Sequence, residues 1–413
     1  MILRMPGDKS ISHRALMLAA LGKGVSRLTN LSRGADVVST RLCLEQCGIP
    51  IRDDGDTVIL EGQGGVFKSP SKDLNAGNSG TTARLLAGLL AGRGIQARLI
   101  GDTSLSRRPM GRIVEPLQQM GAMIHLSPRG TLPLTLYPAS LTSLDYTLPV
   151  ASAQVKSALL LAALGGEGAV SITEPIPTRT HTELMLQALG AGIQVSGNRI
   201  TLEAGVQDIP AFEMAIPGDP SSAAFLAALA TLLPQTELTF QDLLLNPTRM
   251  GFFRVLQRMG AQITWTSKHQ ELGEEVGELT IRSSDLKAIH ISGSEIPTMI
   301  DELPILAILA TQAEGATIVR DAGELRVKES DRIKAICENL KRMGVRVQEL
   351  TDGFRIWGPC TLRGATVRTQ HDHRIAMAFA VAGRIAVGRT LLDDPDCVEV
   401  SFPGYHDLLG QVA

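Results

Sequence analysis

The sequence repeats one phrase five times, and this repetition restricts the possible folds more than any other feature. Each copy has the end of an apolar helix, then a glycine, then two short alternating segments around a polar turn. The copies begin at Leu44, Leu117, Leu186, Leu256 and Leu340. A glycine directly after a helix is typical of a C-cap, and the alternating segments are typical of a β-hairpin. The phrase therefore predicts five helix–hairpin units.

A second phrase alternates with the first: a polar loop that leads into a short helix rich in Ala and Leu. It occurs six times, about seventy residues apart, as KSISHRALMLAAL, NSGTTARLLAGLLA, SAQVKSALLLAAL, GDPSSAAFLAALATL, DELPILAILA and HDHRIAMAFAVAG. Because apolar residues cover several faces of these helices, we expect them to be buried with sheets packed around them. The repeating unit is then two helices and about four strands, and neighbouring units bury each other's apolar faces.

The length of 413 residues is too great for one hydrophobic core. A division near the segment AIPGDP separates the six units evenly. We therefore expect an α/β protein with an N-terminal domain at 10–215 and a C-terminal domain made of 1–9 with 216–413, each holding three repeats. By its sequence alone, the opening strand MILRMPG could pair with either half.

Composition excludes several classes of protein. A net charge of −2 gives no electrostatic reason to bind nucleic acid or a membrane surface, and 3% aromatic residues supply few stacking platforms. No run of eighteen apolar residues is present, and the N-terminus turns polar too early for a signal peptide. Five cysteines show no zinc-type spacing, and their odd number argues against a disulfide framework. We expect a cytoplasmic enzyme.

Cations occur near the starts of the Ala/Leu-rich helices, where the helix dipole disfavours positive charge. They are Arg14, Arg84, Lys156, Arg332 and Arg374. If several helix N-termini point to one cleft, their dipoles and these cations form a pocket for phosphate and carboxylate groups. The alternative for the polar residues beside them is simple N-capping, and for each single cation it is a solvated side chain.

Seven segments together resemble the successive signatures of the 5-enolpyruvylshikimate-3-phosphate synthase family. They are PGDKSISHR, GNSGTTARLL, GDTSLSRRPMGR, SAQVKSALL, RTHTE, RVKESDR and HDHRIAMAF, and they stand in that family's order from Pro6 to about Pro403. The resemblance implies a two-domain inside-out α/β barrel. Each domain would hold three βαβαββ units with internal helices, and the active site would lie in the cleft between the domains.

The resemblance also implies the reaction. The enolpyruvyl group of phosphoenolpyruvate passes to the 5-hydroxyl of shikimate 3-phosphate, and phosphate is released after a tetrahedral intermediate. It implies no metal and no organic cofactor. It further implies glyphosate as an inhibitor that competes with phosphoenolpyruvate, a monomer, and no nucleic-acid or membrane partner.

Three residues match the catalytic positions of the family. Glu329 resembles the acid that gives a proton to the methylene carbon of phosphoenolpyruvate and later recovers it. Asp301 matches the group that holds the target hydroxyls and accepts the 5-hydroxyl proton. Lys9 matches the lysine that touches both substrates. Without the resemblance, Glu329 would be a first-turn acid and Asp301 a helix cap.

The resemblance assigns further residues to the two substrates. Guanidinium groups suit phosphate and carboxylate bidentately, and a backbone N–H can approach a ligand closely only beside a small residue. The residues assigned to shikimate 3-phosphate are Lys9, Ser10, Arg14, Ser152, Ala153 through its backbone, Gln154, Arg179, Asp301 and Lys328. Those assigned to phosphoenolpyruvate are Lys9, Asn78, Gly80, Thr81, Arg108, Gln154, Glu329, Arg332, His373 and Arg374. We assign His181 and Glu183 to structure.

Three positions depart from the pattern of the family. Val400 stands where many members have a lysine, Glu324 where many have an asparagine, and Leu85 where a proline is common. These departures and the RTHTE motif are typical of a divergent bacterial branch. The departures change the expected contacts with the substrates at these single positions, and they leave the inferred reaction unchanged.

Other functions remain to be weighed. The sister enolpyruvyl transferase that acts on UDP-N-acetylglucosamine shares the repeats, but it usually has a cysteine in the loop that matches 102–112, where this chain has none. A non-catalytic anion-binding relative would have lost cleft charges, yet Lys9, Asp301, Glu329 and Arg332 are present. A dinucleotide-binding oxidoreductase would need a strand–GxGxxG–helix segment, which the glycine clusters do not form.

Overall fold

The computed structural model describes residues 1–205 and 208–412. The chain divides into two compact units, which we name the N-terminal unit (Gly7–Ile216 with Gln270–Glu274) and the C-terminal unit (Met1–Pro6, Pro217–His269 and Glu275–Ala413). The expected boundaries at 9/10 and 215/216 differ slightly from these, because residues 7–9 and 216 fall in the N-terminal unit. Residues 206, 207 and 413 of the expected domains lie outside the described part.

The α-helices of the described chain include the six Ala/Leu-rich segments and six others. They are α1 (Lys9–Leu21), α2 (Ala35–Gln46), α3 (Gly80–Gly92), α4 (Gly111–Gln119), α5 (Ala153–Ala163), α6 (His181–Ala188), α7 (Pro220–Leu232), α8 (Gly251–Arg258), α9 (Leu303–Ala310), α10 (Arg332–Arg342), α11 (His373–Ile385) and α12 (Tyr405–Val412). Short 3-10 helices span Leu105–Arg107, Gly293–Thr298, Gly323–Val327 and Pro395–Val400.

The strands are short, as expected for a repeat of small units. They are β1 (Ile2–Arg4), β2 (Lys23–Thr29), β3 (Ile51–Asp54), β4 (Thr57–Gln63), β5 (Leu74–Asn75), β6 (Ala97–Ile100), β7 (Met123–Leu126), β8 (Leu134–Tyr137), β9 (Leu144–Thr147), β10 (Val170–Thr173), β11 (Ile193–Ser196), β12 (Arg199–Leu202), β13 (Glu213–Ala215), β14 (Glu237–Leu244), β15 (Gln262–Glu271), β16 (Glu274–Arg282), β17 (His290–Ile291), β18 (Gly315–Val319), β19 (Val347–Leu350), β20 (Gly353–Gly358), β21 (Thr366–Val367) and β22 (Leu391–Leu392).

One sheet pattern recurs through both units. The N-terminal unit has the strand orders β13-β2-β4-β3, β5-β6-β8-β7 and β9-β10-β12-β11, and the C-terminal unit has β1-β14-β16-β15 and β17-β18-β20-β19. In each sheet the first pair is parallel and the second pair is antiparallel. The opening strand β1 pairs with β14, which answers the question that its sequence left open.

The five predicted helix–hairpin units are confirmed. The glycine after each helix has a positive φ, the left-handed conformation that a helix C-cap requires: Gly48 at 87°, Gly121 at 101°, Gly190 at 81°, Gly260 at 106° and Gly344 at 85°. The expectation of about four strands in all six units is wrong for the last one. In the part of the chain that the structure describes, its sheet contains only β21 and β22, and a 3-10 helix and α12 follow in place of a hairpin.

The Ala/Leu-rich helices are buried, as the composition of their faces predicts. Every residue of α9 and eleven consecutive residues of α1, Ile11–Leu21, are buried. A helix that is apolar on all sides can avoid water only inside the protein, so each unit must wrap its sheets around its helices. Among the described residues, no helix is both long and apolar enough to cross a bilayer.

Helices α3 and α5 approach each other closely at two glycines. A Cβ atom on Gly88 would lie 2.1 Å from the carbonyl oxygen of Ala158, and one on Gly92 would lie 2.2 Å from that of Ala162. Both distances are far below van der Waals contact, so only glycine fits at these positions. The small residues of both helices therefore set the distance between α3 and α5.

We expect Gly88→Ala to lower the free energy of unfolding by about 2 kcal/mol, because the new methyl group overlaps a backbone oxygen that cannot move alone. Denaturant unfolding of the purified protein measures this change. The matched control is Gly111→Ala at the start of α4, where the new methyl meets only the flexible Glu115 carboxylate at 3.4 Å. A Gly88→Ala protein as stable as the control would contradict the packing argument.

A buried chain of hydrogen bonds links α1, α2 and α3. His13 Nδ1 lies 2.7 Å from Thr40 Oγ1, which lies 2.7 Å from Thr82 Oγ1, and Thr82 Oγ1 lies 2.7 Å from Ser79 Oγ. His13 is fully buried, and its Nε2 atom has no hydrogen-bond partner among residues 1–205 and 208–412. Burial lowers the pKa of His13 from 6.5 to about 3. The imidazole is therefore neutral in the folded protein at neutral pH.

This depressed pKa predicts a loss of stability in acid. The unfolded chain binds a proton at His13 below about pH 6.5, whereas the folded protein resists it down to about pH 3. The neutral His13 therefore contributes fully to the free energy of unfolding above about pH 6.5. This contribution falls as the pH drops from about 6.5 towards 3, by about 2 kcal/mol between pH 7.5 and pH 5.

Denaturant unfolding measures the free energy of unfolding at about pH 7.5 and about pH 5. The difference between these two values should be smaller for His13→Gln than for the parent. The same substitution at the exposed His269 controls for the loss of a histidine as such. An unchanged difference in His13→Gln would contradict this assignment.

Candidate active site

Three internal helices of the N-terminal unit begin at a capping side chain. Asp8, Ser79 and Ser152 each accept a hydrogen bond from the backbone N–H three residues further on. The capping alternative that the sequence left open for Ser152 is therefore observed, although its bond of 3.4 Å is long. Ser152 and the adjacent Ala153 are only partly buried. Both remain accessible at the start of α5, which is where a phosphate would use backbone N–H groups.

The start of α1 brings together three of the predicted site residues. Lys9 Nζ lies 2.9 Å from Asp36 Oδ2, and these side chains are 20% and 11% exposed. Arg179 Nη1 donates to Ser10 Oγ at 3.4 Å. Lys9, Ser10 and Arg179 thus lie at one helix start although 169 residues separate Ser10 from Arg179.

Arg14 lies one turn further along α1 and is built into the structure. Its Nη1 donates to the carbonyl of Ser10 at 2.8 Å, its Nε to Thr182 Oγ1 at 2.7 Å and its Nη2 to Ser157 Oγ at 2.7 Å. Burial lowers the pKa of Arg14 to about 10, and neighbouring carboxylates, Glu183 first among them, oppose this effect. Arg14 therefore connects α1 to α5 and α6, and it stays positively charged at neutral pH.

A second group forms at the start of α3. Gln154 donates to Thr81 Oγ1 at 3.0 Å and accepts from Arg84 Nη1 at 2.6 Å. Arg108 donates to the side-chain oxygen of Asn78. The structure therefore brings Asn78, Gly80, Thr81, Arg108 and Gln154 together at the start of α3, and their assignment to phosphoenolpyruvate stays a prediction.

Arg84 belongs to this group, although the assigned residues do not include it. A Cβ atom on Gly80 would lie 2.9 Å from Arg84 Nη1 and 3.4 Å from Arg108 Nη1. Both guanidinium groups therefore flank the small residue where a ligand phosphate is expected. The signal was present in the sequence, because Arg84 is one of the cations near the helix starts.

Lys156 fits neither of the two interpretations of the helix-start cations, an anion pocket or a solvated side chain. Its ammonium group lies 2.8 Å from Glu174 Oε2 and 2.6 Å from Glu183 Oε1, and the side chain is 0% exposed. A fully buried cation with two carboxylate partners cannot attract a ligand from solvent. Lys156 is a structural charge that joins α5 to the neighbouring segments.

Arg332 is the centre of the group in the C-terminal unit. Its side chain is 2% exposed, and it lies 2.8 Å from Asp372, 2.7 Å from Glu329 and 3.5 Å from Asp301. Burial alone would lower the pKa of Arg332, but these carboxylates hold it above its ordinary value. The prediction that Arg332 lies near the start of an Ala/Leu-rich helix is wrong, because Arg332 begins α10, which is not one of those six helices. It reaches the group through its side chain.

The two predicted catalytic acids lie on opposite branches of this arginine and are partly accessible. Glu329 is 21% exposed and Asp301 is 19% exposed, whereas Asp372 is 0% exposed. Lys328 Nζ lies 3.7 Å from Asp301. Both carboxylates are therefore accessible to a ligand. Glu329 lies beside Arg332, and Asp301 lies near Arg332 and Lys328.

Asp372 connects Arg332 to the start of α11. It accepts from the backbone N–H of Arg374 at 2.9 Å, from Ser330 Oγ at 2.9 Å and from two nitrogens of Arg332. Burial would raise the pKa of Asp372, but Arg332 outweighs this effect and holds the pKa below its ordinary value. Asp372 is not among the residues that the resemblance assigns to the substrates, although it holds Arg332 in this group.

Arg374 is a buried cation of a different kind. It is 4% exposed, it donates to the carbonyl of Ser221 at 3.2 Å, and its guanidinium carbon lies 5.6 Å from the ring centre of Phe225. Within the described chain, no carboxylate lies at ion-pair distance from it. His373 next to it is 3% exposed. Arg374 therefore differs from Arg332, whose charge is balanced by carboxylates.

The three departures from the family pattern occupy different surroundings. Leu85 is fully buried in α3 and belongs to the core. Glu324 lies in the 3-10 helix Gly323–Val327, and Val400 ends the 3-10 helix Pro395–Val400; both are partly exposed. Among the described residues, no group of three or more His, Cys, Asp or Glu is placed to hold a metal ion.

Comparison with known proteins identifies the family. The family model described as EPSP synthase (3-phosphoshikimate 1-carboxyvinyltransferase) matches residues 1–409. A protein named 3-phosphoshikimate 1-carboxyvinyltransferase from Geobacillus kaustophilus is 45% identical over 98% of this chain and 95% of its own length. One of the same name from Alkaliphilus oremlandii is 44% identical over 100% of this chain and 96% of its own length.

Solved structures agree with the sequence comparison. An EPSP synthase from Acinetobacter baumannii superposes with a TM-score of 0.89 at 38% identity, covering 100% of this chain and 95% of that one. The enolpyruvyl transferase NikO from Streptomyces tendae superposes with a TM-score of 0.79 at 18% identity, over 100% and 94% of the two chains, and at that identity it shows the shared fold alone. The resemblance inferred from seven motifs is confirmed, as is the mixed α/β two-domain fold. The chain belongs to the EPSP synthase family.

Proposed function

We propose that the chain transfers the enolpyruvyl group of phosphoenolpyruvate to the 5-hydroxyl of shikimate 3-phosphate and releases inorganic phosphate. The observation that carries this proposal is the contrast between two buried arginines joined through Asp372. Carboxylates surround Arg332, whereas the guanidinium of Arg374 has, among the described residues, the carbonyl of Ser221 and the ring of Phe225 beside it and no carboxylate. A buried cation without an acid partner is costly unless an anion binds it. A phosphorylated carboxylic acid supplies that charge.

The roles of the substrate subsites follow from the two groups of the N-terminal unit. We assign the 3-phosphate of shikimate 3-phosphate to the start of α5 and to Arg179, and the carboxylate and hydroxyls to the start of α1. We assign the phosphate of phosphoenolpyruvate to the group at Gly80, where Arg84 and Arg108 flank the glycine. The candidate catalytic acids Asp301 and Glu329 belong to the C-terminal unit. That the active site lies in a cleft between the domains stays a prediction.

The reaction requires proton transfer at two places. Asp301 accepts the proton of the 5-hydroxyl while that oxygen attacks C2 of phosphoenolpyruvate and Glu329 protonates C3, which gives a tetrahedral intermediate. Glu329 then recovers a proton from C3 while the C–O bond to phosphate breaks. Glu329 can serve in both steps because a fifth of its side chain is exposed while Arg332 holds it at 2.7 Å.

The alternative acceptor is not favoured. The relatives at 44 and 45% identity carry the name of the shikimate 3-phosphate enzyme, and no cysteine lies at 102–112, the loop where the sister transferase usually has one. The non-catalytic alternative is not favoured either, because both acids lie beside cations and remain partly exposed. The cytoplasmic location, the monomeric state and inhibition by glyphosate stay predictions.

We expect the parent protein to release phosphate from phosphoenolpyruvate with shikimate 3-phosphate and not with UDP-N-acetylglucosamine. In Glu329→Gln, kcat should fall about 100-fold or more while both KM values stay within about threefold, because the amide carries no transferable proton. Glu338→Gln is the matched control, since Glu338 lies on the exposed side of α10 near Lys334. A Glu329→Gln enzyme within about threefold of the parent kcat would remove the acid–base assignment.

We also expect Gly80→Ala to weaken inhibition by glyphosate more than it weakens the binding of phosphoenolpyruvate. The new methyl group would lie 2.9 Å from Arg84 Nη1 and 3.4 Å from Arg108 Nη1, and the longer inhibitor leaves less space to adjust. The inhibition constant should rise about tenfold or more relative to the KM for phosphoenolpyruvate, a discrimination that about 1.4 kcal/mol supplies. Gly111→Ala serves as the control. Equal changes in both constants would place the inhibitor elsewhere.

A further inference from the structure

The first turn of α6 is tied to the rest of the N-terminal unit at three consecutive residues. His181 Nδ1 lies 2.7 Å from Glu274 Oε1, and both side chains are 0% exposed. Thr182 Oγ1 accepts from Arg14 Nε at 2.7 Å, and Glu183 Oε1 lies 2.6 Å from Lys156 Nζ. The three contacts come from three different segments of the chain. They fix the position and the rotation of this helix start.

The segment that supplies Glu274 is remote in sequence from the others. Glu274 is the first residue of β16, directly after the turn of the β15–β16 hairpin. The residues before Gln270 and after Glu274 belong to the C-terminal unit, whereas the tip Gln270–Glu274 belongs to the N-terminal unit. The tip fits tightly there: Glu271 Oε1 accepts from the N–H of Ala215 at 2.9 Å, and a Cβ atom on Gly273 would lie 2.7 Å from the carbonyl of Leu184 in α6.

Arg179 lies between two fixed points of this network. On one side, Thr178 Oγ1 donates to Glu174, which pairs with Lys156 at 2.8 Å. On the other side, His181 is held by Glu274. Arg179 itself reaches Ser10 Oγ at 3.4 Å. Its guanidinium can therefore keep one orientation only while both flanking residues stay in place.

We propose that Glu274 is a positioning residue for the shikimate 3-phosphate subsite. Through His181 it fixes the first turn of α6, and through that turn it orients Arg179 and the Arg14–Thr182 pair. The proposal rests on the proposed function for the identity of the ligand. It assigns a role in the reaction to a hairpin tip that no sequence motif of the site contains.

The charges around this turn allow a test that separates geometry from electrostatics. The charged side chains around it are three cations and three carboxylates: Lys156, Arg14, Arg179, Glu174, Glu183 and Glu274. If Glu274 acted only through its charge, its removal would leave the subsite more positive and shikimate 3-phosphate would bind more tightly. If it acts by position, a shorter side chain with the same charge weakens binding, whereas an uncharged side chain of the same length does not.

The experiment compares Glu274→Ala, Glu274→Asp and Glu274→Gln, with Glu278→Ala as the matched control on the same hairpin, where Glu278 pairs with Lys268 at the surface. We expect the Kd for shikimate 3-phosphate, measured by calorimetry, to rise about tenfold in Ala and about fivefold in Asp, and to stay within about twofold in Gln and in the control. A tenfold change corresponds to about 1.4 kcal/mol. The KM for phosphoenolpyruvate should stay within twofold and kcat within threefold.

Several results would overturn the proposal. The first is a Kd for shikimate 3-phosphate that is unchanged in Glu274→Asp. The second is a Kd in Glu274→Gln that either rises as much as in Glu274→Ala or falls below that of the parent. The third is an equal rise in the Kd for shikimate 3-phosphate and the KM for phosphoenolpyruvate. If Glu274→Ala does not fold, the comparison of Asp with Gln decides the question.

A second measurement keeps this proposal separate from the proposed function. Hydrogen exchange of the backbone amides at 179–183, without substrate, should be about tenfold faster in Glu274→Asp than in Glu274→Gln. Equal exchange in the two variants would overturn the anchor. A parent protein that neither binds nor converts shikimate 3-phosphate would contradict the proposed function instead, and the exchange comparison would still decide whether Glu274 anchors α6.

Discussion

The whole structure depends on burying helices whose first backbone N–H groups still need partners. An α-helix leaves four N–H groups unsatisfied at its start, and burial removes the water that would satisfy them. Asp8, Ser79, Ser152, Asp219 and Asp372 fill this need as side-chain caps of five internal helices. Several candidate site residues lie next to these caps, among them Lys9, Gly80 and His373. The requirement that stabilises the fold thus creates positive helix ends where an anion can bind.

Buried cations in this protein differ in purpose according to their partners. Lys156 has two buried carboxylates and holds the N-terminal unit together. Arg332 also has carboxylates, but Glu329 and Asp301 keep a fifth of their surface exposed and can reach a ligand. The guanidinium of Arg374 donates to the carbonyl of Ser221 and lies over the ring of Phe225. The three residues look alike in the sequence, since each lies near the start of a helix. Their partners lie from 3 to 153 residues away, so only the fold distinguishes them.

The sequence predicts the repeated parts of the molecule well because repetition supplies many independent signals for one pattern. The five hairpins, their C-cap glycines and the buried Ala/Leu-rich helices are of this kind. It fails where the pattern ends or where a contact is long-range. The missing hairpin after β22 and the contact of Glu274 with His181 have no local signal. Arg84 is intermediate: its position was visible, but its contact with Gln154 was not.

Asp372 shows how fold and chemistry are joined in one side chain. As the cap of α11 it satisfies the N–H of Arg374, and as an ion-pair partner it holds Arg332, which in turn orients Glu329. A capping bond alone could come from serine or asparagine. Only a carboxylate also neutralises a guanidinium that is buried with it, because an unpaired buried charge costs several kcal/mol. Arg332, which contacts the candidate catalytic acid Glu329, is therefore held in place by the same bond network that begins α11.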